Sequence, residues 1–275
     1  MDDLRKLQLI QTETLEEIIS ICKKHNIKYF LLFGTLLGAV RHGGFIPWDD
    51  DLDIGILRND YNRFVSILCE EISKEFFIHN QDTDPNYFAP FTRVRRNDTT
   101  FIPEAYRYTN FVNNGVWIDI FPIDEASAPD NITEKLRFNI YHKFWMALAS
   151  YNALGKREKR GIKTNLVYRL SKCFSLRSIL LHMDNLTVKK KGNYEYYTCY
   201  YSLYKVDRNY YPKSSFGEGV IHLFEGIPCN IPEDADKVLS ILYGDYMKLP
   251  PEDQRVGHLP VQYDFSKVEP KNRKE

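Results

Sequence analysis

Trp48-Asp49-Asp50-Asp51-Leu52-Asp53-Ile54-Gly55-Ile56 places four carboxylates within five residues and follows them with aliphatic side chains. In an extended strand successive side chains point to opposite faces. Asp49, Asp51 and Asp53 then share one face, and Leu52, Ile54 and Ile56 share the other. Same-face neighbours lie about 7 Å apart, and such a row of carboxylates repels itself unless a cation sits among them. A divalent ion that prefers hard oxygen ligands, Mg2+ or Mn2+, is the natural partner. Two other readings compete. A solvated acidic loop accounts for Asp49 and Asp50 but not for the alternating aliphatics. An EF-hand loop starting at Asp49 wants Gly at its sixth position and Glu at its twelfth, where this chain has Ile54 and Asp60, so that reading fails twice.

Gly34-Thr35 lies about 15 residues upstream. A small residue beside a hydroxyl residue, between a strand and a helix start, can hold phosphate through backbone N–H groups. Alone it reads equally as a simple strand-to-helix turn. Arg41 and His42 fall between this turn and the acidic strand, where cations would meet phosphate charge. Arg93 and Arg95 alternate onto one face of a later strand and could clamp a pyrophosphate; each could instead make a surface salt bridge.

The elements that position these groups follow from hydrophobic spacing. Leu4, Leu7, Leu15, Ile18, Ile19 and Cys22 mark one face of an N-terminal helix. Lys28 to Phe33 suits a short buried strand, and Leu36 to Val40 a short helix. A loop, Arg41 to Trp48, leads to a second strand, Asp49 to Leu57. Asn59 or Asp60 can cap the next helix, where Tyr61, Phe64, Val65 and Leu68 recur at helical spacing. Strands are expected again at Phe91 to Arg95 and Val116 to Phe121. The expected fold is a mixed α/β (α+β) core sheet flanked by helices.

Composition narrows the setting. The 275 residues are 43% hydrophobic and 27% charged, which is globular, and Lys plus Arg equals Asp plus Glu at 37 each, so no global charge points to nucleic acid. The balance hides an asymmetry: Lys135 to Lys191 holds 14 Lys and Arg against two acids, Glu158 and Asp184, amid apolar residues at helical spacing. This stretch reads as a basic helical insert, giving expected units 1–134, 135–192 and 193–275. A solvated basic face and contact with an anionic membrane both fit it. The longest nearly apolar run, Tyr29 to Val40, has 12 residues, against the roughly 20 needed to cross a bilayer. Met-Asp-Asp-Leu-Arg-Lys opens a helix of mixed charge rather than a signal peptide, and the five cysteines form no C-x-x-C pair, so a reducing cytosol is expected. In that setting the sequons at Asn97, Asn131 and Asn185 read as chance matches. His25, His79, His142, His182 and His222 form no metal-ligand spacing and read as surface or packing residues. Walker A, dinucleotide, H-E-x-x-H and G-x-S-x-G motifs are missing, which removes the usual support for kinase, dehydrogenase, zinc-protease and hydrolase readings.

Gly34-Thr35 followed by Asp-x-Asp on a strand resembles the nucleotidyltransferase fold typified by polymerase beta. The continuous run Phe33-Gly34-Thr35-Leu36-Leu37-Gly38-Ala39-Val40-Arg41-His42, then Gly44-Phe45-Ile46-Pro47-Trp48 and Asp49 to Ile54, resembles the signature of the LicD family. Those proteins are phosphotransferases of bacterial surface glycans, related to fukutin and fukutin-related protein. Trp117 to Asp124, then Leu242 to Met247 with Pro250, Pro251, Arg255 and His258, agree with the same pattern. The likeness runs from about Leu31 to His258.

The resemblance implies that Asp51 and Asp53 hold catalytic metals, with Asp49 an accessory ligand. Asp119 matches the third carboxylate, as ligand or as base for the acceptor hydroxyl; Asp124 reads better as a cap after Pro122. Arg255 and His258 enter only through the family pattern. The implied reaction moves phosphocholine from CDP-choline to a glycan hydroxyl, the acceptor being lipid-linked in one version, and releases CMP. Trp48, Trp117, Tyr106 and Tyr108 are candidates for an aromatic cage around choline. Ribitol phosphate, glycerol phosphate and phosphoethanolamine donors stay open, as do an NTP-using nucleotidyltransferase and a non-catalytic scaffold at the membrane. The implied location is the cytoplasm, with a peripheral position at the inner face of the cell membrane left open.

Overall fold

Leu52, Ile54 and Ile56 are fully buried, so the aliphatic face of the acidic segment faces the core, as alternation requires. In the computed structural model, residues 2–153, 169, 174–188, 192, 194–202, 204–258 and 260–270 are described. The main sheet has seven strands among them. Its path runs β1 (Tyr29–Leu31), β2 (Asp53–Leu57), β6 (Trp117–Ala126), β4 (Thr92–Arg96) and β3 (Phe76–His79). Strands β2 and β6 are parallel; the other pairs on the path are antiparallel. The far half of β6 pairs with β7 (Tyr196–Thr198), which pairs with β8 (Tyr210–Pro212), so the C-terminal part joins the same sheet. Two small ribbons complete the strands: β5 (Thr100–Pro103) with β11 (Pro260–Asp264), and β9 (Val220–Phe224) with β10 (Ile227–Ile231).

Helix α1 (Asp3–Lys24) is capped by Asp2, whose carboxylate accepts the Arg5 N–H at 2.7 Å. It packs on β6 and on α3 (Arg58–Glu71). Helix α2 (Phe33–His42) packs against α7 (Ala235–Tyr243). Asn131 caps α4 (Ile132–Ala153) by accepting the N–H groups of Thr133 and Glu134, which gives that sequon asparagine a structural role. Glu134 is buried and takes hydrogen bonds from Tyr200 and, at 3.1 Å, Tyr210, tying α4 to the C-terminal part. Helices α5 (Leu176–Thr187) and α6 (Lys213–Phe216) complete the described set.

The mixed α/β expectation holds, with local differences. Helix α2 starts at Phe33, so Gly34 and Thr35 form its first turn rather than a preceding loop. Phe33 takes a left-handed φ of 48°, held by its ring against Phe121 and Tyr204. Strand pairing begins only at Asp53, although the Leu52 carbonyl already accepts the Asp119 N–H at 3.0 Å. Neither Asn59 nor Asp60 caps α3: Leu57 holds that position, and Asp60 sits in the first turn, where its charge suits the helix dipole. Of the 14 insert cations, Lys135, Arg137, Lys143, Arg169 and Arg177 are described and the others lie outside the described residues, as does Cys173. Cys22, Cys199 and Cys229 are buried thiols and Cys69 is exposed.

Candidate active site

Strand register aligns the chemistry. Asp53 on β2 lies beside Asp119 on β6, and Asp119 lies beside Arg93 on β4. In-register residues on adjacent strands point to the same face about 5 Å apart, so the three form one row across the sheet. Arg93 clamps Asp119 with two bonds, Nε to Oδ1 at 2.5 Å and Nη2 to Oδ2 at 3.2 Å, and Nη2 also donates to the Tyr106 hydroxyl at 2.9 Å.

The row opens into a cavity of about 710 Å3 whose wall includes Gly34, Asp49, Asp51, Asp53, Arg93 and Asp119. Gly34 has a steric reason to be glycine: a Cβ there would lie 2.9 Å from Asp49 Oδ2. Thr35 is buried beneath the wall, and its hydroxyl accepts the Asp53 N–H at 2.8 Å, fixing the start of β2. Gln8 and Gln11 of α1 brace the segment from behind by donating to the Asp49 and Asp50 carbonyls at 2.9 and 3.0 Å. Gln11 also donates to the Trp117 carbonyl at 3.1 Å, so one side chain links both acidic strands.

Electrostatics follow from crowding. Burial and the neighbouring Asp51 push the Asp49 carboxyl up to about 9. Burial likewise raises Asp51, and burial with Asp51 and Asp119 nearby raises Asp53 well above the usual range. Asp50 turns away from the row and pairs with His258 Nδ1 at 2.7 Å, and that bond raises the imidazole to about 9. His258 is therefore positive at neutral pH and lines the cavity beside Asp49 and Asp51.

The cation-free fold should lose stability as pH rises. A carboxyl raised from 3.8 to about 9 binds more protons folded than unfolded across that window, so Asp49 costs increasing stability from about pH 4 to about pH 9. His258 contributes stability that is complete below its ordinary value of 6.5 and is lost as pH passes about 9, in the same direction. Thermal melts without divalent ions are expected to fall between pH 6 and pH 9, and millimolar Mg2+ should flatten the fall. A flat profile without divalent ions would contradict the crowding of the carboxylates, and equal slopes with and without Mg2+ would contradict a divalent-ion site among them.

Among the described residues no three His, Cys, Asp or Glu side chains already converge into a metal cage. The donor chemistry nevertheless fits a hard divalent cation: buried carboxylate oxygens line one wall, and Arg93 neutralises Asp119 alone.

Other expected residues are distributed unevenly. Trp48, Trp117, Tyr106 and His258 line the cavity. The aromatic rings are already engaged, however. The Arg93 guanidinium sits 4.7 Å from the Trp117 ring centre and 5.0 Å from that of Tyr106, and Arg255 lies 5.5 Å over Trp48. Tyr108 is exposed and lies outside the cavity wall. Arg41 and His42 end α2 away from the wall, and Arg41 donates to the Tyr246 carbonyl at 2.6 Å, locking the C-terminal part onto α2. Arg95 shares a strand face with Arg93 but lies under Trp117, donating to His79 Nδ1 and the Gly115 carbonyl at 2.7 Å each. His79 bonds Asp84 at 2.9 Å and is fully buried; burial and Arg95 hold it near pH 3, hence neutral. Asp124 caps nothing: it is buried in a bidentate pair with Arg58, at 2.6 and 3.1 Å.

Several wall residues have no sequence signal near the acidic motif. Tyr201, Ser202, Tyr204 and Tyr243 come from the C-terminal part, and Trp145 comes from α4. Tyr204 and Tyr243 bond through their hydroxyls at 2.8 Å.

Comparison with known proteins identifies the family. The family profile described as "LicD/FKTN/FKRP, nucleotidyltransferase domain" matches residues 26–165, which include α2, the carboxylate row and Arg93. The lipopolysaccharide cholinephosphotransferase LicD of Haemophilus influenzae is 28% identical over 94% of this chain and 97% of its own length. The human ribitol 5-phosphate transferase FKRP is 38% identical over 22% of this chain and 11% of its own length. An uncharacterized protein of Rickettsia typhi is 52% identical over 20% of this chain and 18% of its own. With its profile covering half of the chain and its acidic row built into the sheet, the protein belongs to the LicD family of phosphotransferases.

Proposed function

We propose that this protein transfers a phospho-alcohol group from a CDP-activated donor to a hydroxyl of a bacterial surface glycan, releasing CMP, and that the donor is CDP-choline. The observation that carries the reading is the row Asp53, Asp119 and Arg93 in one cavity with Asp49, Asp51 and Gly34, in a chain related along almost its full length to a cholinephosphotransferase. Asp51 and Asp53 would hold Mg2+ or Mn2+, with Asp49 and Asp119 as further oxygen donors. The ion would supply positive charge for the pyrophosphate and for the departing CMP. Arg93 holds both oxygens of Asp119, which favours Asp119 as a fixed ligand over a proton acceptor. His258 adds a positive charge at the cavity wall. The bond formed joins the acceptor oxygen to the phosphorus distal to cytidine, the phosphoanhydride bond breaks to free CMP, and the acceptor hydroxyl's proton passes to solvent. We place the enzyme in the cytoplasm, at an anionic membrane that presents the acceptor.

A second donor is favoured by a specific observation. Arg93 lies close to the Trp117 and Tyr106 rings and Arg255 close to Trp48, so cations of the protein compete with a quaternary ammonium for these rings. That arrangement, with the local match to a ribitol phosphate transferase, keeps CDP-ribitol in contention. Thermal shift against CDP-choline, CDP-ribitol, CDP-glycerol and CDP-ethanolamine separates them. The expected result is Mg2+-dependent stabilisation by CDP-choline above the others; [L] at 100 times Kd adds about 2.7 kcal/mol. Stabilisation by NTPs and by no CDP compound would overturn the reading in favour of a nucleotidyltransferase.

A further inference from the structure

Helix α4 is apolar on two sides. Phe138, Tyr141, Trp145 and Leu148 form its buried side, and Trp145 reaches the cavity wall. Its outer side carries Ile132, Leu136, Ile140 and Phe144 at intervals of four residues, with exposures of 83, 59, 41 and 40%. At 3.6 residues per turn these four sweep an arc of about 120°. Thr133 and Lys143 are exposed polar residues on that arc, Asn139 and Lys135 lie about 20° and about 60° beyond its Ile132 edge, and Glu134, the helix's acid, is buried. On α5, Leu181 and Leu186 are also exposed, at 58 and 50%.

Charge identifies the occupant. The stretch Lys135 to Lys191 has 14 Lys and Arg against two acids, and one of these, Asp184, is neutralised by Arg58 at 2.8 Å. Apolar side chains suit the boundary between headgroups and acyl chains, and flanking lysines suit lipid phosphates. A second copy of the chain would bring like charge against like charge on a two-fold axis. No helix among the described residues is long and apolar enough to cross a membrane, so the exposed stripe of α4 would meet a bilayer at its surface.

We infer that the outer face of α4 docks on an anionic bilayer, while the opposite face of the same helix walls the catalytic cavity. The inference deepens the membrane setting proposed above, and it rests on that setting; its test requires no turnover. The full chain is sedimented with phosphatidylcholine vesicles and with vesicles half phosphatidylglycerol, at low and high salt. At least about tenfold stronger partitioning to the anionic vesicles is expected, weakened by salt. Leu136→Asp/Ile140→Asp should lower it at least about tenfold, with its melting temperature kept because both sites are exposed. Lys135→Glu/Lys143→Glu provides a second variant that leaves the apolar stripe intact and should lower it similarly. Asp51→Asn/Asp53→Asn should bind vesicles like wild type, which separates failure of docking from failure of the chemistry. Equal binding to neutral vesicles, or no change in either surface variant, would overturn the inference. So would light scattering that shows a wild-type dimer split by Leu136→Asp/Ile140→Asp, since the face would then pair two copies.

Discussion

Asp53→Asn is expected to lower transfer activity by about 1,000-fold or more, the scale lost when charge stabilisation at the reacting centre is removed, and to raise the melting temperature of the cation-free protein. The two effects have one cause. Asp53 is buried beside Asp51 and Asp119, and burial with their charges lifts its carboxyl well above the usual range. Folding near neutral pH therefore costs either a proton taken up from water or a charge buried beside its neighbours, and the neutral isostere avoids that cost. The Asp53 N–H bond to Thr35 belongs to the backbone and survives the change. The gain should be clear at pH 8 and small at pH 4, where the unfolded carboxyl is itself substantially protonated. Melts at the two pH values, with a turnover assay beside them, check both halves. A lower melting temperature at pH 8 would mean that Asp53 makes a structural contact the present geometry does not contain.

Arg93→Met is expected to be among the most destabilising single changes in the sheet. Arg93 is 3% exposed, and it is the group that pairs Asp119, which is 8% exposed. Removing one partner of a buried pair costs about 3–5 kcal/mol because the other charge is stranded. For a chain of this size that corresponds to a loss of roughly 10 °C in melting temperature. The lost stacking on Trp117 and Tyr106 adds to it. Arg93→Met/Asp119→Asn should recover most of the stability and none of the activity, because it removes the stranded charge and a site carboxylate together. A double variant no more stable than Arg93→Met would show that the pair is not what holds this part of the sheet.

The acidic strand was legible because its signal is local. Alternation with period two sorts Asp49, Asp51 and Asp53 from Leu52, Ile54 and Ile56 whatever surrounds them, and the structure keeps that sorting even where ladder bonding starts only at Asp53. Asp50 was legible only in part: alternation turns it off the carboxylate face, but its partner His258 lies more than 200 residues away. The arginines show the limit from another side. Arg93 and Arg95 are equivalent by alternation, yet β6 presents Asp119 to the first and Trp117 to the second, which bonds instead to the Gly115 carbonyl just before β6 and to His79 on β3. Strand register separated them, and register is set by tertiary pairing. Tyr201, Tyr204 and Tyr243 enter the wall through β7, β8 and α7, a topology that nothing near the motif encodes. The bracing by Gln8 and Gln11 was hidden because polar residues on an amphipathic helix read as its wet face.

Product analysis of a single reaction tests the central claim most directly. The full chain is incubated with CDP-choline, Mg2+ and a lipid-linked glycan acceptor, and small molecules and glycan are both weighed by mass spectrometry. The account predicts CMP and an acceptor heavier by one phosphocholine in equal amounts, dependent on Mg2+ and lost in Asp51→Asn/Asp53→Asn. Transfer of the cytidylyl group instead, with phosphocholine left free in solution, would place the attack on the other phosphorus and contradict it.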